Sequence, residues 1–132
     1  MAETLESRIE TYRQSWNSGR LDQLLRHWVD DGLDYSDYLT QQYHMDKATA
    51  KLAFGAMLSL CGDIQMITRS LNGTTDKAQW EAEINFTCLA DFPGSPFKKG
   101  DRAKTVGVSL IEWNAEGKIV KQSDYYCWGK SE

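Results

Sequence analysis

The chain has 132 residues, of which 41% are hydrophobic and 26% are charged, and its formal net charge is −4 at pH 7. This length fits a single domain with one hydrophobic core, so residues 1–132 are predicted to fold as one unit. The acidic balance, without a Lys/Arg run, argues against a nucleic-acid partner, whose phosphates require a basic surface.

The first half of the chain has the hydrophobic spacing of helices. A helix is predicted over residues 4–18 and a second over 21–28, each with an apolar stripe at helical spacing. An extended segment over 33–39 follows. A third helix is predicted to begin after Asp46, a plausible N-cap, and to run to about residue 60. The three predicted helices therefore precede all the long strands.

In the second half the hydrophobic period changes from 3.6 to 2. Long strands are predicted over residues 64–71, 77–90, 102–113 and 117–128, separated by turns rich in Gly, Asn and Pro. Three helices followed by an antiparallel meander indicate an α+β protein, with the helices packed on one face of a curved sheet.

The last predicted strand carries the most informative alternation. Gln122, Asp124, Tyr126 and Trp128 share one face, because side chains on a strand alternate between its two sides. A carboxylate among aromatic rings is unfavourable unless it is hydrated, paired or functional. Burial in a pocket would raise the pKa of Asp124 and make it a candidate general base; otherwise it is a hydrated surface residue.

Several local strings, in this order, resemble the NTF2-like superfamily of cone-shaped α+β barrels. They are residues 12–22 (YRQSWNSGRLD), residues 28–31 (WVDD) and the terminal GKIV followed by DYY. That superfamily includes ketosteroid isomerase, scytalone dehydratase, limonene epoxide hydrolase and the SnoaL-like polyketide cyclases. The resemblance covers nearly the whole chain and implies the cone-shaped fold, whereas the activity has to be argued residue by residue.

The resemblance places individual residues at functional positions. Tyr12 matches the oxyanion-hole tyrosine of ketosteroid isomerase, and Asp37 lies within one residue of its general base. Tyr35 matches the water-positioning tyrosine of scytalone dehydratase, and Asp124 matches the inward aspartate of the SnoaL-like last strand. The second acidic oxyanion donor of ketosteroid isomerase falls near Ser109, and the dehydratase histidines have no counterpart. An isomerase or cyclase is therefore favoured over a dehydratase.

His44 is predicted to lie in a loop before the third helix, at the mouth of the pocket. A histidine can both donate and accept a proton near pH 7. Tyr35, Asp37 and His44 would then form an acid–base set, with the carboxylate orienting the imidazole. The alternative is an exposed loop histidine without a role. His27, off the apolar stripe of the second helix, is predicted to lie on the surface.

The aromatic residues have two interpretations, core filling and ligand binding. Many rings around a few polar groups would suit a flat, hydroxylated aromatic ligand, and tyrosine hydroxyls could stabilise an enolate. The candidate substrate-binding rings are Tyr12, Trp16, Trp80, Phe86, Trp113, Tyr126 and Trp128.

No metal, cofactor or membrane interaction is predicted. The four aspartates between residues 30 and 37 match no calcium loop, and no apolar run approaches the roughly 20 residues of a membrane helix. Three widely spaced cysteines and the absence of an apolar signal segment indicate free thiols in the cytoplasm. The resemblance also implies a homodimer formed through the sheet.

These observations predict a cofactor-independent isomerase or cyclase that acts on a polyketide-like aromatic or terpenoid intermediate of secondary metabolism. Asp124 or Asp37 would remove a proton next to a carbonyl, Tyr35, Tyr12 or Tyr126 would stabilise the enol, and His44 would return the proton. The alternatives are a dehydratase or epoxide hydrolase of the same fold, and a non-catalytic module that binds a small ligand or a protein.

Overall fold

A computed structural model describes residues 3–129 of the chain. It contains three helices and six strands in the order α1 (Leu5–Asn17), α2 (Leu21–Leu25), β1 (Asp34–Asp37), β2 (Gln42–Met45), α3 (Lys47–Leu58), β3 (Cys61–Gly73), β4 (Lys77–Cys88), β5 (Arg102–Trp113) and β6 (Ile119–Trp128). The strands form one sheet in the order β2-β1-β6-β5-β4-β3. Of the strand pairs within residues 3–129, β1–β6 is parallel and the other four are antiparallel. The predicted α+β architecture is confirmed, as an open, mainly antiparallel sheet.

The two longer helices begin where their capping residues predict. Thr4 caps α1 by accepting a hydrogen bond from the backbone N–H of Ser7, and Ser7 completes a capping box. Asp46 caps α3 by accepting from the N–H of Thr49. Both helices bury one apolar stripe against the sheet, and this packing supplies most of their stability because isolated helices of this length are marginal.

The second helix is shorter than predicted, and the strand at its end explains why. The backbone of His27 to Val29 hydrogen bonds to Ile119 at the start of β6, so these residues cannot continue the helix. The surface prediction for His27 is also wrong. Its ring is partly buried, 2.8 Å from the hydroxyl of Ser15, and it packs on the ring of Tyr12. Burial lowers the pKa of His27 to about 4.

Strand β2 was not predicted, because only four residues form it and they lack an alternating apolar pattern. It pairs with β1 across the four residues 38–41, with a register shift between Tyr35 and Asp37. The long strands follow the predicted boundaries within a few residues. Register shifts in β3, one of them around Asp63 at a φ of 47°, bend that strand and curve the sheet.

The curvature leaves the concave face of the sheet opposite α1 and α3. A core of aromatic and aliphatic side chains occupies the base of this space. Within residues 3–129, no helix combines the length and the hydrophobicity that crossing a membrane requires.

Candidate active site

A cavity of about 720 Å³, measured out to its open mouth, lies between the concave face of the sheet and the helices. Its wall is mostly apolar. The aromatic residues that line it are Trp16, Phe54, Phe86, Phe92, Tyr126 and Trp128. Its other polar side chains are Asp37, Thr40, Thr105, Ser109, Gln122 and Asp124. An apolar cavity with a few convergent polar groups is the usual form of a small-molecule site.

Asp124 is a buried carboxylate in this wall that accepts three hydrogen bonds from side chains. Only 8% of the residue is exposed. Its Oδ1 accepts hydrogen bonds from the Ser109 hydroxyl at 2.8 Å and from Gln122 Nε2 at 2.9 Å. Its Oδ2 accepts a short hydrogen bond from the Tyr35 hydroxyl. Three donors therefore orient one carboxylate, which compensates part of the free energy of burying it.

The position of Asp124 follows from strand register. On β6 its side chain shares the inward face with Gln122, Tyr126 and Trp128, as the sequence predicts. Ser109 is its partner on β5, which places the serine hydroxyl beside the carboxylate. Tyr35 reaches it from β1, the parallel neighbour on the other side.

The environment raises the pKa of Asp124 to about 6. Burial is the largest cause, the hydrogen bonds from Tyr35 and Gln122 oppose it, and the nearby charge of Asp37 adds to the rise. A carboxylate with this pKa is mostly ionised at pH 7, yet it accepts a proton far more readily than an exposed aspartate. These are the properties of a general base.

A second layer of hydrogen bonds fixes the amide of Gln122. The indole N–H of Trp28 can only donate, and it does so to the Tyr12 hydroxyl at 3.1 Å. Tyr12 in turn donates to Gln122 Oε1 at 2.7 Å. The amide must then turn its Nε2 towards Asp124. Three buried side chains thus set the direction of one hydrogen bond to the carboxylate.

Tyr126 belongs to the same network from the cavity side. Its hydroxyl lies 3.1 Å from Ser109 Oγ. Because the single proton of Ser109 is donated to Asp124, Tyr126 is the donor in this pair. Burial and the charge of Asp124 raise the pKa of Tyr126, which keeps its hydroxyl protonated at neutral pH.

Asp37 brings a second carboxylate to the cavity. It is the register partner of Asp124 on the adjacent parallel strand, and 8% of the residue is exposed. Its two oxygens accept hydrogen bonds from the Leu39 N–H at 3.0 Å and from the Thr40 hydroxyl at 2.8 Å. Two aspartates therefore face one apolar cavity from neighbouring strands.

The predicted grouping of Tyr35, Asp37 and His44 does not form. The His44 side chain is 78% exposed, and its Nδ1 lies 2.9 Å from Oδ1 of Asp34. His44 belongs to β2, and its neighbour Met45 points into the core with 4% exposure. His44 has a φ of 53° and lies where the β1–β2 register is shifted, so regular alternation is interrupted and its side chain is exposed like those of the two residues before it. Contrary to the prediction, His44 does not lie among the residues that line the cavity.

The predicted ligand-contacting rings divide into two groups. Trp16, Phe86, Tyr126 and Trp128 line the cavity. The others do not. Tyr12 and Trp80 are fully buried behind the wall, and Trp113 packs under the guanidinium of Arg8, 5.3 Å from its ring centroid. Tyr35 also lies behind the wall and reaches the site only through its hydroxyl. These residues support the cavity instead of contacting its contents.

Ser109, Gln122 and Thr40 were not singled out by sequence reasoning as site residues. Ser109 shares its strand face with Ile111 and Trp113, both buried, so its inward orientation is present in the alternation of β5. Gln122 was placed on the face of Asp124 without a role. The missing information was the register between β5 and β6, which decides which inward residues meet.

The first testable consequence concerns Tyr35. In Tyr35→Phe, Asp124 loses a donor that lowers its pKa, so the midpoint of its titration is expected to move above about 6. Carboxyl ¹³C NMR of labelled aspartate measures this midpoint directly. Tyr43→Phe, on the exposed part of β2, is the matched control and is expected to leave it unchanged. An unchanged midpoint in Tyr35→Phe would contradict the assigned hydrogen bond.

Several solved structures have the same fold as this chain. No family model and no curated protein matches the sequence. Among solved structures, a SnoaL-like polyketide cyclase from Agrobacterium tumefaciens aligns with a TM-score of 0.75 at 15% identity, over 96% of this chain and 93% of that one. An NTF2-like protein from Exiguobacterium aligns with a TM-score of 0.69 at 17% identity, over 91% and 98%. The epoxide hydrolase/cyclase-like enzyme SalBIII, of pyran ring formation in salinomycin, aligns with a TM-score of 0.71 at 15% identity, over 94% and 89%.

Proposed function

We propose that this chain, which has the NTF2-like fold, is a cofactor-independent enzyme that moves a proton next to a carbonyl group, as an isomerase or a cyclase. The observation that carries the proposal is Asp124, a carboxylate in the wall of an apolar cavity with a pKa raised to about 6. The three hydrogen bonds that orient it leave one oxygen, Oδ2, with a single donor. That oxygen is the one we assign as the proton acceptor.

The reaction begins when Asp124 Oδ2 removes a proton from the carbon next to the carbonyl. The electron pair of the C–H bond moves into the C–C bond, and the carbonyl oxygen becomes an enolate. In an isomerase, the protonated Asp124 returns the proton to a different carbon. In a cyclase, the enolate carbon forms a C–C bond with a second carbonyl, whose oxygen takes the proton. The same carboxyl group gives and takes the proton, so His44 is not required.

The enolate oxygen needs a hydrogen-bond donor, and the three predicted tyrosines are not equivalent. The hydroxyl protons of Tyr12 and Tyr35 are already donated to Gln122 and Asp124. Tyr126 lines the cavity, and its hydroxyl can turn from Ser109 to a ligand oxygen. Trp16 also lines the cavity, but its indole nitrogen is buried away from the cavity surface and does not reach a ligand. Tyr126 is therefore the donor we assign to the enolate.

The aromatic wall supports a flat, ring-containing substrate. Trp16, Phe86 and Trp128 offer ring faces and edges to a ligand of this shape. The names of structural neighbours, a polyketide cyclase and an epoxide hydrolase/cyclase-like enzyme, support the same substrate class. We therefore propose a polyketide-like aromatic or terpenoid intermediate of secondary metabolism as the substrate.

The proposal can be tested without the natural substrate. 2-Tetralone, a bicyclic ketone with acidic α-protons, is incubated with the protein in D₂O, and deuterium uptake is followed by ¹H NMR. Exchange faster than in buffer, saturating with ketone and rising with pH through a midpoint near 6, is the expected result. Binding of the ketone without accelerated exchange would instead indicate a non-catalytic binding module.

A second candidate reaction is epoxide opening, which the pair of inward carboxylates favours. Asp37 and Asp124 occupy register positions on adjacent strands, so one could activate a water molecule while the other, protonated, donates to the epoxide oxygen. Conversion of styrene oxide to its diol, measured by chromatography, tests this candidate. Loss of the diol in both Asp37→Asn and Asp124→Asn is the expected pattern.

The outer face of the sheet supports the proposed homodimer. Ile67, Leu110 and Tyr125 are between 38% and 47% exposed there, and Tyr38 stacks on Tyr125 with ring centroids 4.4 Å apart. A second copy of the chain would cover this surface. Sedimentation velocity is expected to give the mass of two chains, and Tyr125→Glu is expected to give the mass of one. A wild-type monomer would refute the dimer.

A further inference from the structure

We infer that the cavity selects its ligand by charge, accepting uncharged molecules and protonated amines and rejecting carboxylates and phosphates, with Asp37 as the residue that sets this preference. The inference rests on the proposed function only in taking this cavity as the ligand site. It concerns binding, so it can be tested with or without turnover.

The ionisable side chains in the wall point to this selectivity. The lining contains Asp37, Asp124, Cys61 and Tyr126, and no Lys, Arg or His among the described residues 3–129. Burial raises the pKa of Cys61 to about 12, and burial together with Asp124 raises that of Tyr126, so both are neutral at pH 7. The wall therefore carries negative charge without a compensating cation.

The two carboxylates differ in how the protein compensates their charge. Asp124 receives three hydrogen bonds from side chains, and its raised pKa allows it to become neutral when a ligand requires it. Asp37 receives one backbone and one hydroxyl hydrogen bond, and both of its oxygens act as acceptors, as in an ionised carboxylate. Its charge contributes to the raised pKa of Asp124, its register partner on the adjacent strand.

A ligand experiences this field in a medium of low dielectric constant. The wall is mostly apolar, so attraction and repulsion between charges are screened less than in water. A ligand carboxylate would give up its hydration to meet two aspartates. A ligand ammonium would meet those aspartates and also the aromatic rings of Trp16, Phe54 and Trp128, whose π electrons attract cations. The order of affinity follows as amine, alcohol, carboxylate.

Three naphthalene ligands of one ring size isolate the effect of charge. 2-Naphthylmethylamine, 2-naphthalenemethanol and 2-naphthoate are titrated into the wild-type protein at pH 7.5, and their Kd values are measured by isothermal calorimetry. We expect the amine to bind at least as tightly as the alcohol, and the carboxylate to bind at least about tenfold more weakly than the alcohol. Equal affinities for the three ligands would overturn the inference.

The role of Asp37 is tested with Asp37→Asn and a matched control. We expect the variant to bind the carboxylate more tightly and the amine more weakly, with the alcohol unchanged. Asp34→Asn lies on the same strand but pairs with His44 outside the cavity, so it is expected to leave all three Kd values unchanged. If Asp37→Asn keeps the wild-type ratio of carboxylate to amine affinity, Asp37 does not set the preference.

A wild-type measurement covers the case in which Asp37→Asn fails to fold. Lowering the pH from 7.5 to 5 protonates most of Asp124, whose pKa is about 6, while the ligand amine stays charged. The Kd ratio of amine to alcohol is therefore expected to rise at pH 5 by no more than the contribution of Asp124, and loss of the whole preference at pH 5 would assign it to Asp124 and overturn the role of Asp37. Exchange of 2-tetralone without charge selectivity would sustain the proposed function alone, and selectivity without exchange would sustain this inference alone.

Discussion

Asp124→Asn is expected to slow α-proton exchange of a bound ketone by a factor of about 10² to 10⁴, the usual contribution of a general base. Asparagine has nearly the same size and shape, so the cavity and its aromatic wall are retained. Its amide cannot accept a proton from carbon at neutral pH. The loss is expected in kcat, with the Kd of the ketone nearly unchanged, because the missing interaction belongs to the transition state.

Two other substitutions test whether the loss of proton exchange is specific to Asp124. His44→Ala is expected to exchange ketone protons at the wild-type rate, since the imidazole is 78% exposed and hydrogen bonds to Asp34 outside the cavity. Asp37→Asn is expected to alter the rate less than Asp124→Asn does. A variant Asp124→Asn with full turnover would remove Asp124 as the base, and loss of exchange in Asp37→Asn alone would move that role to Asp37.

The sequence predicts the face of the site well because strand alternation is a local property. Gln122, Asp124, Tyr126 and Trp128 were placed on one face, and all four line the cavity. The element order could be predicted for the same reason, since capping residues and hydrophobic periods are read within a few positions. What alternation cannot supply is the partner on the next strand. The contact between Ser109 and Asp124 depends on the β5–β6 register, which the intervening turn sets.

The errors concern where a side chain lies in three dimensions, which the hydrophobic pattern does not give. His44 was expected at a pocket mouth, but β2 forms only by pairing with β1, and that pairing turns the imidazole outward. Tyr12, Trp80 and Trp113 were expected to contact ligand, but they lie behind the wall. The hydrophobic pattern identifies an inward side chain, but it does not show whether that side chain lines the cavity or is buried behind the lining. Separating wall from core requires the three-dimensional packing of strands and helices.

Under the proposed function, the hydrogen bonds around Asp124 represent a compromise between catalysis and stability. More donors or better hydration would return the pKa of Asp124 towards its ordinary value and make the folded protein more stable, at the expense of basicity. The observed arrangement instead keeps a buried carboxylate with a pKa of about 6. A proton acceptor of useful strength is therefore retained in a state that opposes folding at neutral pH.

This compromise predicts that the stability of Asp124→Asn increases relative to that of the wild type as the pH rises through 6. The pKa of Asp124 is raised from 3.8 to about 6 in the folded protein, so the folded state binds the proton more tightly than the unfolded state. Proton binding by Asp124 therefore stabilises the folded protein fully below about pH 4, and this stabilisation is lost as the pH rises through 6. At about 1.4 kcal/mol for each pH unit, the loss approaches ~3 kcal/mol. Asparagine is neutral throughout this pH range, so Asp124→Asn does not lose stability in this way.

Urea unfolding of both proteins between pH 4 and pH 8 measures the difference. The free energy of unfolding of Asp124→Asn minus that of the wild type is expected to increase by up to ~3 kcal/mol from pH 4 to pH 7 and then to level off. The increase matters more than the absolute difference, because exchanging a carboxylate for an amide also changes the hydrogen bonds with Tyr35, Ser109 and Gln122 by a pH-independent amount. Asp34→Asn, whose partly exposed side chain pairs with His44 outside the cavity, provides the comparison. A difference that stays constant with pH would mean that Asp124 has an ordinary pKa and lacks the raised basicity of a general base.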